Sequence, residues 1–419
     1  MDHFDYKDGV LHAEDVPLPA IAAAVGTPVY VYSRATLTRH ARVFRDALAA
    51  RLPRLHIAFA VKANPNLAVL RLLASEGYGA DVVSGGELER ALAAGIPAAD
   101  VVFSGVGKTR AELARALDVG LGQFNLESEE EGHELADIAD SRGLTATCAL
   151  RVNPDVDAGT HAKISTGKAE NKFGVPYDRA AAMYARLAAR PGLAMRGLAA
   201  HIGSQVTSLA PSRAAFVRMG DLMHGIRGEG HAVTHMDLGG GLGVPYKLGE
   251  QLPGPDEYAA MVADVTADWD ATIMFEPGRV IVGNSGVLVT EVIRVKPGVS
   301  APFVVVDAAM NDLVRPAMYD AWHDFLAVTP TGERTVANIV GPICESSDTF
   351  AMGREIDVVK AGDLAVFRTA GAYGATMANT YNSRPLVPEV MVDGSRWAIV
   401  ADRIEPSTIL AAERVPEWL

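Results

Sequence analysis

Between about residues 56 and 280 the chain repeats one unit eight times: a short apolar run rich in β-formers, a polar or glycine-containing turn, then an amphipathic helical stretch. The eight runs are His56 to Lys62, Gly79 to Ser84, Val101 to Val106, Gln123 to Leu126, Thr147 to Asn153, Arg196 to Gly203, His235 to Gly239 and Thr272 to Glu276. Helix starts stand between them, as in Thr109-Arg110-Ala111-Glu112 and Ser128-Glu129-Glu130-Glu131, both with capping-box spacing. Strands that alternate with helices pair in parallel, and eight of them predict an α/β fold, a closed (β/α)8 TIM-type barrel, with an open doubly wound sheet as the alternative. After Val295 the texture changes to strand-like runs: Phe303 to Val306, Arg334 to Val340, Ile356 to Val359, Leu364 to Phe367 and Trp397 to Val400. A chain of 419 residues exceeds what one core fills. We therefore expect a barrel over residues 33–295 and a second, β-rich and β-barrel-like domain over 296–419, joined by the short strand-like pieces of 1–32.

The net charge of −13 argues against nucleic acid or an anionic membrane as the main partner. No run is long and apolar enough to cross a bilayer, and the first residues lack a basic segment followed by an apolar core, so a cytoplasmic protein is expected. Two cysteines give no disulfide framework. Cys148 lies in an apolar run and reads as core packing, whereas Cys344 follows Gly341-Pro342-Ile343 in a polar loop where a thiol is accessible.

In a barrel of this kind the C-terminal ends of the strands converge on one mouth. Chemical groups recur at that end: Lys62 after the first run, Asp81 and Ser84 in the second, His201 and Ser204 after the sixth, Gly239-Gly240-Gly241 after the seventh, and Glu276-Pro277-Gly278-Arg279 after the eighth. Taken singly, a lysine at a strand end more often reaches solvent, and a triple glycine is as often a bare turn as a phosphate cradle. Five sets at one end point to a site. Pro154 to Gly174, a polar stretch after the fifth run, reads as a surface loop or a lid. Two motif-like strings are set aside. Gly105-Val106-Gly107-Lys108-Thr109 lacks the first glycine of a P-loop, and His231-Ala232-Val233-Thr234-His235 has zinc-ligand spacing without the glutamate, so no metal site is expected.

The strings FAVKANPN at 59–66, HIGSQ at 201–205, DLGGGLGVPY at 237–246, EPGR at 276–279, CESSD at 344–348 and AGAYG at 370–374 together resemble the alanine-racemase-fold decarboxylases that use pyridoxal 5'-phosphate, in particular those acting on diaminopimelate. The resemblance runs the length of the chain, in order. It implies that Lys62 carries the cofactor as a Schiff base and that His201 stacks on its ring. Ser204, the Gly240 and Gly241 backbone, and the Glu276, Gly278 and Arg279 turn would contact phosphate and ring, with Asp81 and Tyr373 also near the cofactor. Glu276 would pair with the pyridine nitrogen, keeping the ring a strong electron sink. Arg279 and Arg315 would bind the substrate's distal carboxylate, Glu345 its distal ammonium, and Tyr319 and Tyr373 would contact it. Cys344 would be the proton donor, a role suited to a thiol whose ordinary pKa is about 8.5. The implied reaction is decarboxylation of meso-2,6-diaminopimelate to L-lysine, the last step of lysine biosynthesis, by a homodimer with active sites shared across the interface. Relatives acting on ornithine, arginine or carboxynorspermidine are the near alternative, distinguished by an aspartate after the loop cysteine. A silent, partner-binding relative is a third reading, disfavoured because Lys62, Cys344 and the glycine turn are all present.

Overall fold

The computed structural model describes residues 2–157 and 172–419. Most of the stretch read as a lid, Pro154 to Gly174, lies outside the described residues. By contacts the chain divides into two units, His40–Val244 with Gln251–Ile281, and Met1–Arg39 with Pro245–Glu250 and Val282–Leu419.

The first unit is the closed barrel. Its strands are β1 (Leu55–Ala60), β2 (Gly79–Val82), β3 (Val101–Phe103), β4 (Gln123–Leu126), β5 (Ala146–Asn153), β6 (Leu193–Ala199), β7 (His235–Asp237) and β8 (Thr272–Phe275). All neighbours pair in parallel, and Ile273 to Phe275 of β8 pair with Leu55 to Ile57 of β1, which closes the ring. The strands end one to four residues before several of the expected runs do, because glycine or asparagine turns follow them. Helices pack outside by their apolar stripes: Leu67–Ser75 buries Val69, Leu70, Leu72 and Leu73. Burying each such side chain contributes roughly 1.5–3 kcal/mol, which exceeds what propensity gives so short a helix.

Local capping sets where these helices begin. Thr109 and Glu112 form the full reciprocal box. The second box is half formed: Ser128 accepts from Glu131 N at 3.2 Å, but the Glu131 carboxylate turns to Glu127 N at 2.9 Å and to the Lys108 ammonium at 2.6 Å. Lys108 is fully enclosed and also donates to the Gly105 and Asn125 carbonyls, so the P-loop-like string is a structural strand-to-helix turn.

The second unit is built on a β-sheet. Strand Gly286–Lys296, within the stretch expected to close the barrel region, instead pairs antiparallel with Val29–Ser33, Leu364–Phe367 and Phe303–Val306. Its apolar run finds its hydrogen bonds in the sheet, and so residues from Val282 onward belong to this unit. The strand expected at Ile356 to Val359 runs from Thr349 to Asp357, paired with Arg334–Val340. Glu389–Asp393 pairs parallel with Val29–Ser33 and antiparallel with Arg396–Ala401. The core under this sheet gathers Leu11, Leu18, Ile21, Val29, Val31, Val287, Val289, Val366 and Val390.

Candidate active site

The barrel unit brings together one group of the expected residues. The chain leaves β1 through a single 3-10 turn, Val61–Ala63, and Asn64 and Asn66, both buried, close it: Asn64 Oδ1 accepts from Asn66 N at 3.1 Å, and Asn66 caps the next helix through Ala68 N at 2.9 Å. Lys62 is thus presented by a rigid turn just past the strand. Its Nζ donates to Asp81 Oδ2 at 3.1 Å. Asp81, in β2, has no solvent exposure, and its second oxygen, Oδ1, has no hydrogen-bond partner among the described residues. A buried carboxylate oxygen left unpaired costs about 1–3 kcal/mol or more, so this oxygen is able to accept from a further group.

His201 follows β6 and accepts the Gly240 N–H on Nδ1 at 3.1 Å. That bond leaves Nδ1 unprotonated. Burial first, then the nearby cations Lys62 and Arg151, hold the imidazole well below its ordinary range, so the ring is neutral. The glycine turn after β7 is shaped by close approach. A Cβ on Gly240 would meet the Glu276 carbonyl oxygen at 2.2 Å, and Gly241 (φ +111°) would meet that of Gly203 at 2.3 Å. The Gly240 N–H, expected to face a phosphate, is spent on orienting His201. After β8, Arg279 Nη2 donates to Ser204 Oγ at 2.9 Å, and Gly278 is buried beside it. Ser84 is drawn away from this group, capping the helix Gly85–Ala93 through Glu87 N at 3.2 Å.

Behind these residues lies a polar network that the sequence reading did not single out. Asn125 of β4 sends Nδ2 to within 3.1 Å of Asp237 Oδ2, Glu276 Oε1 and Ser104 Oγ, and its Oδ1 accepts from Gln123 at 2.9 Å. Ser104 donates to Glu276 Oε1 at 3.2 Å, and Gly239 N to Asp237 Oδ1 at 2.9 Å. Asp237 and Glu276 thus meet at Asn125, whose Nδ2 lies 3.1 Å from an oxygen of each. Burial, followed by the charges of Asp237 and Asp81, pushes the Glu276 carboxyl well above its ordinary range; burial also raises Asp237. The signal in the sequence was the alternation of Gln123 and Asn125 within an otherwise apolar strand.

The sheet unit holds the remaining residues. Arg315 is 5% exposed and opens the short helix Arg315–Tyr319, where Tyr319 is half-buried. Its guanidinium lies 4.5 Å from the Tyr246 ring centre, and Nη1 is 2.9 Å from His323 Nε2. His323 Nδ1 bonds the Arg368 carbonyl at 2.8 Å, which places the ring proton on Nδ1 and makes Nε2 the acceptor for Arg315. Tyr373 sits at φ +55°, a strained conformation for a bulky side chain. Cys344 and Glu345 are exposed on the loop 341–348, whose ends are tied by buried Asp348: its Oδ2 accepts from Ile343 N at 2.6 Å and its Oδ1 from Met310 N at 2.7 Å. Cys148 is fully enclosed, and burial raises its thiol far above the ordinary range.

A family model described as the pyridoxal binding domain of pyridoxal-dependent decarboxylases matches residues 34–283. Among curated proteins, the diaminopimelate decarboxylase of Zymomonas mobilis is 52% identical over 99% of each chain. That of Vibrio cholerae is 49% identical over 99% of each. Among solved structures, diaminopimelate decarboxylase from M. jannaschii in complex with L-lysine aligns with a TM-score of 0.96 at 34% identity, covering 100% of this chain and 99% of that one.

Proposed function

From the premise that this chain belongs to the diaminopimelate decarboxylases, a pyridoxal-dependent family, we propose how its own residues carry out decarboxylation of meso-2,6-diaminopimelate to L-lysine and carbon dioxide. The observation that carries the reading is the amine of Lys62 set 3.1 Å from a fully buried carboxylate whose other oxygen has no partner among the described residues. An amine for covalent attachment, a neutral aromatic ring at His201, an Arg279–Ser204 pair for an anion and a buried carboxyl at Glu276 form the donor set that pyridoxal 5'-phosphate needs. The residues fit it. When bound, the cofactor supplies an electron sink for the pair left behind as the carboxylate departs.

In this reading Lys62 holds the cofactor between turnovers, and Asp81 keeps the amine aimed. His201, fixed by the Gly240 N–H, offers a flat uncharged face for stacking. Glu276, held by Ser104 and Asn125 and with its carboxyl raised well above the ordinary range, would pair with the pyridine nitrogen. Ser204, Gly241, Gly278 and Arg279 would hold the phosphate, and Tyr373 is a further candidate contact. Arg279 and Arg315 bind the distal carboxylate in fork geometry, Glu345 the distal ammonium, and Tyr319 and Tyr373 line the substrate. Cys344 returns a proton to the α-carbon.

The exposure of Cys344 and Glu345 supports a homodimer in which this loop completes the active site of the other subunit. Among the described residues no helix is long and apolar enough to cross a membrane, and we propose a cytoplasmic enzyme of lysine biosynthesis. The deciding experiment incubates the purified protein and cofactor with meso-diaminopimelate, ornithine, arginine and carboxynorspermidine, and measures carbon dioxide and product. Lysine from diaminopimelate alone is the expected result; turnover of one of the other three in preference, or of none, would overturn the assignment. Mixing Lys62→Ala with Cys344→Ala subunits should restore part of the activity that each lacks. No restoration after subunit exchange would mean that the sites are not shared.

A further inference from the structure

We propose that Tyr381 is a positioning residue for substrate recognition. Its hydroxyl, together with Ser347, fixes the Glu345 carboxylate in the orientation that receives the substrate's distal ammonium, and its neighbour Asn382 steadies the backbone at Cys344. This rests on the role given to Glu345 above.

Glu345 is an exposed side chain on a surface loop, and such a side chain samples many rotamers that binding must then suppress. Here each of its oxygens already has a donor. Tyr381 Oη donates to Oε1 at 2.6 Å and Ser347 Oγ to Oε2 at 2.9 Å. Each oxygen keeps further acceptor capacity, which an ammonium can use. The same two hydrogen bonds, Tyr381 first, hold the Glu345 carboxyl below its ordinary range and keep it ionised.

Tyr381 is itself anchored from beneath. Asn311, with no solvent exposure, donates through Nδ2 to the Tyr381 carbonyl at 2.6 Å and accepts from Asn379 N at 3.1 Å; Asn379 Oδ1 in turn accepts from Tyr381 N at 3.1 Å. The chain then turns through Asn382 (φ +57°) and Ser383 (φ +54°), two successive left-handed residues without a glycine, and this aims Asn382 Oδ1 at Cys344 N, 3.5 Å away. Strain of that kind persists where the surroundings enforce it. The loop 341–348 is therefore held at its base by Asp348 and at its tip by the segment 379–383. The base sets where the loop lies, and the tip sets where its functional side chain points.

The test compares Tyr381→Phe, Glu345→Gln and the double variant as holoenzymes. Removing one charge-assisted hydrogen bond corresponds to about a tenfold change. Tyr381→Phe should thus raise KM for meso-diaminopimelate, and Kd for L-lysine, about tenfold while kcat, melting temperature and borohydride capture of the cofactor hold. The double variant should be no worse than Glu345→Gln alone, and Ser347→Ala should shift KM in the same direction if Tyr381→Phe folds poorly. An unchanged KM in Tyr381→Phe, or effects that multiply in the double variant, would overturn the positioning role and leave the Glu345 reading intact. An unchanged KM in Glu345→Gln would instead remove that reading, and this proposal with it.

Discussion

The barrel interior and the loop 341–348 place functional groups by opposite means. In the barrel, Asp81, Asn125, Asp237 and Glu276 are each at most 9% exposed, and burial fixes their geometry and raises the carboxyls of Asp237 and Glu276. On the loop, Cys344 and Glu345 stand in solvent, held by backbone hydrogen bonds to Asp348 and Asn382 and by one from the Tyr381 hydroxyl. A buried set is tuned by the subunit's own fold. An exposed set has its orientation but not yet its dielectric, and a thiol or carboxylate gains electrostatic strength only once water is excluded. Under the function and homodimer proposed above, the barrel would prepare the cofactor and the loop would act once a second copy covers it.

The largest expected effects test that division directly. Lys62→Ala should abolish borohydride capture and reduce turnover to background, because the barrel then lacks its only amine within reach of Asp81 among the described residues. Capture that persists would move the attachment point elsewhere. Cys344→Ser should leave capture and cofactor affinity intact and lower kcat by on the order of 10²–10⁴, the range for loss of a general acid. A parallel loss of cofactor affinity would break the comparison, since the loop would then be shaping the barrel half too.

Asp348→Asn probes the exposed set more gently. The carboxylate accepts two backbone N–H groups, and an amide that retains one acceptor oxygen should keep the fold while loosening the loop. We expect kcat to fall about tenfold with little change in cofactor affinity, measured by equilibrium titration. Wild-type kcat in this variant would mean that the loop needs no anchor at its base.

The barrel was legible because its signal is local and repeated: each strand is an apolar run bounded by turn residues, and the turn residues also fix which groups stand at the mouth. The sheet unit was less legible. Glu389–Asp393 finds its partner in Val29–Ser33, a pairing between distant parts of the chain that no local pattern announces. Thr349–Asp357 exposes Met352, Gly353 and Glu355, and so its middle reads as loop. In the candidate site, Asp237 stood in plain view before the glycine turn, but its link to Glu276 through Asn125 depends on β4, β7 and β8 converging inside the barrel. Tyr381 and Asn382 left no sequence signal, since their role comes from a turn geometry that the closed fold enforces.

The smallest effect sharpens the barrel side of the comparison. The Glu276 carboxyl is raised well above its ordinary value of 4.5 in the folded protein. The folded state therefore holds more protons than the unfolded chain between that value and the raised one. Its contribution to stability is fully present below about pH 4.5 and is lost as pH rises toward the folded pKa, by at most about 1.4 kcal/mol per pH unit for one proton. Glu276→Gln removes the titration but keeps the shape and an acceptor oxygen for Ser104 and Asn125. Urea unfolding of the cofactor-free protein between about pH 5 and 8 should show wild-type stability declining more steeply than that of the variant, so that the two curves converge or cross at the alkaline end. Parallel curves would mean that the Glu276 carboxyl is not raised in the folded barrel, and the buried set would then be held by geometry alone, as the loop is.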